Sequence, residues 1–104
     1  MRSLRPLFVL APLLAGCGST LYAIRIQTAS DELARAEQLG AARRAPYEYQ
    51  FALEHLEKAR SEALEAAYGD AIQLAEVARE YARRAVLLAQ RVEHAGPAAV
   101  TRTP

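Results

Sequence analysis

The amino-acid sequence predicts an all-α protein: a short three-helix arrangement, dominated by an antiparallel hairpin of the second and third helices, behind an N-terminal lipid anchor. Two observations predict the helices. Alanine, which has the highest intrinsic helix propensity, is very frequent, and apolar residues recur at spacings of three and four. A third observation, a short apolar segment that ends at Cys17, predicts the anchor.

The N-terminal segment has the organisation of a bacterial lipoprotein signal peptide. Arg2 and Arg5 supply positive charge, and residues 7–14 are apolar but too few to span a bilayer as a helix. Residues 14–17 read Leu-Ala-Gly-Cys, the pattern of a lipobox. We therefore expect cleavage before Cys17 and a diacylglycerol on its thiol. The alternatives are an ordinary secretory signal with an accidental cysteine, or a short membrane anchor.

Charge and cysteine content restrict the partners of the processed chain. Removing the 16 residues before Cys17 leaves 88 of the 104 residues, and the loss of two arginines changes the formal charge from +1 to −1. We expect no nucleic-acid partner, because phosphate binding needs a concentrated basic surface. Since Cys17 is the only cysteine, no disulfide can form within one chain.

The first helical stretch is predicted from about Leu21 to Gly40. Its apolar residues recur on one face: Tyr22, Ile26, Ala29, Leu33, Ala36 and Gly40. Thr28 and Ser30 are good helix N-caps, which leaves open a later start with residues 18–27 as a tether.

A break is predicted near Ala45, because Pro46 disfavours helical geometry in the preceding residue and suits the first turn of a new helix. The second helix is predicted from Pro46 to about Ala67. Its apolar stripe contains Tyr49, Ala52, Leu53, Leu56, Ala59, Ala63 and Ala67. Gly69 is expected to end it, and Asp70 to cap the third helix.

The third helix, predicted to end near His94, has the clearest pattern. An apolar residue repeats with a seven-residue period at Ala71, Ala75, Ala78, Ala82, Ala85, Ala89 and Val92. Because small side chains let helices approach closely, we predict a tightly packed hairpin. The side chains predicted to fill its gaps are Tyr49, Leu56, Leu74, Tyr81 and Leu88.

These predictions divide the chain into four segments. They are a signal peptide at residues 1–16, a lipidated tether at 17–20, a helical domain at 21–94 and a disordered tail at 95–104.

The hairpin resembles a bacterial family. The resemblance is carried by Ala45-Pro46-Tyr47-Glu48-Tyr49, Ala52 to Leu56, Lys58-Ala59-Arg60, Tyr68-Gly69-Asp70-Ala71, Leu74-Ala75, Ala78 and Ala82. These residues are similar to the family named domain of unknown function 4398, over about residues 21–92. The resemblance implies an envelope lipoprotein with a hairpin like one tetratricopeptide unit and no assigned activity. Some members resemble fusions to a peptidoglycan-binding domain, but peptidoglycan binding is carried over to no residue here.

Residue patterns of catalytic and metal sites are missing from the sequence. His55 and His94 are the only histidines and lie 39 positions apart, and no nucleophile elbow or phosphate-binding glycine loop occurs. Carboxylates are spread along helical faces, whereas acid–base catalysis needs a buried pair in a pocket. We therefore expect no enzymatic activity, no metal and no cofactor beyond the covalent lipid on Cys17.

Two classes of function remain. The first is a structural or adaptor lipoprotein that is anchored in a membrane and binds another envelope protein through a helical face. The second is a small cell-wall or ligand-binding module. Gly18 and Ser19 replace the aspartate that is common in lipoproteins held at the inner membrane, so we expect attachment to the outer membrane on its periplasmic side.

Tyr47 and Phe51 are the candidate partner-binding residues. They are one helical turn apart and fall well away from Leu56, outside the apolar stripe. Either the first helix covers them, or they stay partly exposed and bind a partner, since exposed aromatic residues are frequent interface anchors.

Overall fold

A computed structural model describes the backbone of residues 5–100 and the side chains of residues 17–94. The described backbone forms four helices, α1 (Arg5–Gln38), α2 (Ala41–Arg44), α3 (Pro46–Leu64) and α4 (Tyr68–Val100), and contains no strand. The predicted all-α class is confirmed. Helices α3 and α4 make the most extensive interface and form the predicted hairpin, and α1 packs mainly along α4.

The predicted alanine face of α4 is buried. Its buried members are Ala71, Ala75, Ala78, Ala82, Ala85 and Ala89. The prediction is wrong at Val92, which is 41% exposed because the core clusters of the bundle end at Ala89. On α3, Ala52, Leu56 and Ala59 are buried.

Helix α1 covers one side of the hairpin. Ala29 and Leu33 join Leu56 and Ala78 in a buried cluster. The later helix start near Thr28 is wrong: its Oγ1 donates a hydrogen bond to the carbonyl of Ile24 at 2.9 Å, within a continuous helix. The segment predicted as a tether, residues 17–20, is helical and belongs to α1.

The connection from α1 to α3 contains a short helix that the sequence analysis did not predict. Gly40 has φ 73°, a left-handed conformation that suits glycine, and α2 follows it for one turn. The predicted break is confirmed at Ala45, which leaves helical geometry with φ −141° and ψ 60°. Pro46 then occupies the first turn of α3, where a missing N–H costs no helical hydrogen bond.

The turn between α3 and α4 differs from the prediction. Ala66, not Gly69, adopts the left-handed conformation, with φ 60°. The N–H of Ala66 donates to the carbonyl of Ala63 at 3.0 Å and that of Ala67 donates to Glu62 at 2.9 Å, which together form a Schellman motif.

Gly69 and Asp70 therefore lie in the first turn of α4, and Asp70 is not the cap. The start of α4 at Tyr68 is explained by its packing against α1. An α4 that begins at Tyr68 places this ring 6.0 Å from the ring of Tyr22, and a Cβ on Gly18 would lie 3.7 Å from the Tyr68 Cβ. Packing on α1 thus outweighs the local preference for glycine in the turn.

The backbone of α4 continues to Val100, beyond the predicted end near His94. Three alanines follow His94 and favour a helix, and Pro97 removes only one backbone donor from the last turn. Residues 101–104 and the side chains after His94, within the predicted tail, lie outside the described residues.

Candidate functional site

The predicted lipidation site lies at one end of the bundle. Cys17 is exposed on α1, directly before Gly18, which packs on Tyr68 at the start of α4. Arg25 pairs with Glu76 further along the same two helices at 3.6 Å, so α1 and α4 run in the same direction. Cys17 and the α3–α4 turn therefore share one end, which we call the Cys17 end.

Tyr47 and Phe51 face α4. The Phe51 ring lies 4.1 Å from the Tyr81 ring and 4.1 Å from the His55 imidazole, centroid to centroid. The Tyr47 ring lies 5.9 Å from Phe51 and 6.5 Å from Tyr81. Phe51 is half-buried, whereas Tyr47 is 65% exposed. We call these four side chains the aromatic cluster.

The aromatic cluster lies in an open groove between α3 and α4. On its Cys17 side is a depression of about 410 Å³, lined by His55, Glu62, Asp70, Gln73, Leu74 and Val77. On its other side is a smaller one of about 220 Å³, lined by Glu48, Arg84, Leu87, Leu88 and Arg91. All these residues belong to α3 or α4, and none to α1. We call the whole surface the hairpin groove.

Carboxylates line one depression of the hairpin groove, and arginines predominate in the other. Glu62 and Asp70 lie near the Cys17 end, and Lys58 pairs with Glu62 at 3.5 Å. Arg84 and Arg91 line the far end, where Glu48 offsets part of their charge and Glu80 pairs with Arg84. A binding partner with basic groups towards the Cys17 end and acidic groups towards the far end would complement this pattern.

Arg84 packs on the aromatic cluster. Its guanidinium carbon lies 4.6 Å from the centre of the Tyr81 ring, within the range of a cation–π interaction. Its Nε is 3.3 Å from Oε1 of Glu80, which holds the guanidinium in place. Arg84 thus covers part of the Tyr81 ring, whereas the Tyr47 ring is 65% exposed.

His55 is tied to the backbone. The Nδ1–H donates to the carbonyl of Phe51 at 2.9 Å in this tautomer, which leaves Nε2 as an acceptor facing the groove. Among the described residues no three histidine, cysteine or carboxylate groups are clustered as a metal site would require. The groove thus offers aromatic stacking, aliphatic surface and a few polar groups for binding.

Sequence reasoning missed three members of this site, His55, Tyr81 and Arg84. The i, i+4 spacing of Phe51 and His55 could have shown that they share a face. Tyr81 was predicted to fill a gap inside the hairpin; it packs against the buried cluster that contains Ala78 and Ala82, and its half-buried ring also contacts Phe51.

In the part of the chain that the structure describes, no helix combines the length and the apolar content needed to cross a bilayer.

Comparison with protein families gives one match. The model of the family described as "Domain of unknown function (DUF4398)" matches residues 25–98, a range that contains the aromatic cluster and both depressions of the groove. Comparisons with curated proteins and with solved structures give no match.

Proposed function

This chain belongs to the DUF4398 family, and we propose that it is a non-catalytic adaptor lipoprotein of the bacterial outer membrane. In this proposal a lipid on Cys17 holds the chain at the periplasmic face, and the hairpin groove binds another envelope protein. The observation that carries the proposal is the exposure of Tyr47, 65%, beside Phe51 and Tyr81 on a surface that α1 leaves open. Exposed aromatic clusters are typical binding anchors.

The positions of the anchor and the groove are compatible. Tyr68 lies at the Cys17 end, and Tyr81 follows it by 13 residues on α4, which corresponds to about 20 Å at 1.5 Å per residue. A partner could therefore reach the aromatic cluster while the lipid stays in the bilayer.

The shape of the groove favours a helical partner. It follows two antiparallel helices from Asp70 to Arg91, so a helix with apolar residues at i, i+3 or i+4, and i+7 could lie along it. Its charges should run opposite to those of the groove, with basic residues near the Cys17 end.

A second function, the binding of a small cell-wall fragment or other ligand, is favoured by the depression of about 410 Å³ beside His55. This volume falls within the range of small-ligand sites, roughly 300–1,000 Å³. Asp70 and Gln73 could hydrogen-bond a sugar or peptide there. This alternative predicts that His55→Ala weakens binding of soluble peptidoglycan fragments, whereas the adaptor function predicts no such binding.

The anchor is tested by Cys17→Ser. We expect the wild-type chain to incorporate a palmitate analogue and to fractionate with outer membranes, and the variant to stay unlabelled and unprocessed. Equal labelling of the two proteins would contradict lipidation of Cys17. Recovery of the wild type only in inner membranes would contradict the proposed location.

The groove is tested by a photocrosslinking amino acid placed at Tyr47 in intact cells. Arg60, which is exposed on the same helix and does not line the groove, is the matched control position. We expect one discrete crosslinked protein from position 47 and not from position 60, and we expect Tyr81→Ala to abolish it in a chain that stays helical. The same crosslinked species from both positions would contradict binding through the groove.

A further inference from the structure

Three exposed aliphatic side chains lie at the Cys17 end, and they include the most exposed one among the described residues. Leu64, the last residue of α3, is 89% exposed. Leu21 and Ile24 are 42% and 58% exposed and lie one and two turns after Cys17 on α1. These three side chains, which we call the apolar tip, take no part in either core cluster.

Two tyrosines flank the apolar tip. The rings of Tyr22 and Tyr68 lie 6.0 Å apart and join α1 to the start of α4. Tyrosine combines an apolar ring with a polar hydroxyl, and it is enriched where a membrane surface meets water. The residue types at this end therefore suit the boundary of a bilayer.

The opposite end of the bundle carries both apolar and charged side chains, and Leu87 and Val92 are 49% and 41% exposed there. There Arg44 pairs with Glu93 at 3.6 Å and donates to the carbonyl of Leu39 at 3.1 Å, and Arg43 lines the same surface. The Cys17 end differs in the degree of exposure, since Leu64, at 89%, and Ile24, at 58%, are more exposed than either of these two aliphatic residues.

We propose that Leu21, Ile24 and Leu64 insert into the surface of the phospholipid bilayer that holds the lipid of Cys17. This inference rests on the proposed lipidation. A lipid on Cys17 brings the apolar tip to the bilayer, since Leu21 lies only about 6 Å further along α1. Contact with lipid then removes the three side chains from water.

Insertion sets the orientation of the bundle. With the apolar tip in the bilayer, the axis of α3 and α4 points away from the membrane, and the aromatic cluster stands in the periplasm. Glu65 and Asp70 are exposed at the same end and remain among the head groups. Binding of the tip therefore requires no anionic lipid.

A tryptophan reporter tests insertion, because the chain contains no tryptophan of its own. Leu64→Trp and the control Leu87→Trp are expressed as full-length protein, purified from cell membranes and reconstituted into phosphatidylethanolamine–phosphatidylcholine vesicles. Leu87 is 49% exposed and lies at the far end of the groove. Mass spectrometry first determines whether Cys17 carries lipid.

We expect phospholipid brominated near the top of its acyl chains to quench Leu64→Trp at least twofold and to leave Leu87→Trp unchanged. Replacing part of the lipid by phosphatidylglycerol should not alter this difference. Lipidated protein in which the two reporters are quenched equally, or not at all, would overturn insertion alone. If the fluorescence of Leu64→Trp were blue-shifted but not quenched, protein and not lipid would cover the tip. This result would also overturn insertion. A Cys17 without lipid would overturn the anchor and the insertion together.

Discussion

The two sides of the α3–α4 hairpin use apolar residues in opposite ways. On the side covered by α1, most of the buried residues are alanines, and Ala78 and Ala82 are at most 2% exposed. On the groove side, Phe51 and Tyr81 are only half-buried and Tyr47 is 65% exposed. The helices pack closely on the covered side because most of the side chains between them are small. The large rings stand where no third helix covers them, which is the arrangement expected of a binding surface.

The largest expected effect comes from removing a large side chain on the covered side. Leu56 is 3% exposed in the cluster that unites α1, α3 and α4. Leu56→Ala should lower the free energy of unfolding by about 2–5 kcal/mol because it leaves a cavity. Leu87→Ala, at a 49% exposed position on the groove side, should change it by no more than about 0.5 kcal/mol. Urea denaturation followed by circular dichroism measures both, and equal losses would remove the distinction between the two sides.

Adding volume to the covered side should also destabilise the bundle. Ala78→Leu should cost about 1–3 kcal/mol, since Ala78 is 2% exposed in a cluster shared by α1, α3 and α4, where added atoms overpack the core. Arg83→Leu, on an exposed position of α4, should be nearly silent in the same thermal denaturation. Equal shifts in Tm would show that the alanine face of α4 is not closely packed.

The covered side could be predicted from the sequence and the groove could not, for a physical reason. The spacing of alanines in α4 reports directly which face is buried, because each helix carries its own period. The contact between Phe51 and Tyr81 depends on the register of α3 against α4, which neither helix encodes alone. The turn shows the same limit: Gly69 has the local preference for a left-handed conformation, but Ala66 adopts it so that Tyr68 can pack on α1.

A smaller effect separates two positions within the groove. Phe51 stacks on Tyr81 and His55, so Phe51→Ala should cost about 1 kcal/mol of stability. Tyr47→Ala removes a mostly exposed ring and should change stability by less than about 0.5 kcal/mol. Thermal denaturation of the two variants provides the comparison. If Tyr47→Ala were the more destabilising, Tyr47 would belong to the folded core and would be a poor candidate for binding a partner.

The smallest effect concerns Tyr49, which packs against both core clusters on the covered side. Burial raises the pKa of its hydroxyl above the ordinary value of 10.0, and the negative charge of Glu37 on α1 raises the pKa further. Above pH 10 the unfolded chain therefore loses this proton while the folded chain keeps it. The unfolded state then binds fewer protons than the folded state. The contribution of Tyr49 to stability should therefore be constant below pH 10 and fall as the pH rises through the folded-state pKa.

Two variants isolate this contribution. In urea denaturation between pH 9 and 11, Tyr49→Phe should remove part of the fall in stability, because it has no proton to lose. Glu37→Gln should make the fall shallower, since it removes only the second cause of the raised pKa. If both variants kept the slope of the wild type, the Tyr49 hydroxyl would be as well solvated as in the unfolded chain. Helix α1 would then fail to cover this part of α3, and the difference between the two sides of the hairpin would end short of Tyr49.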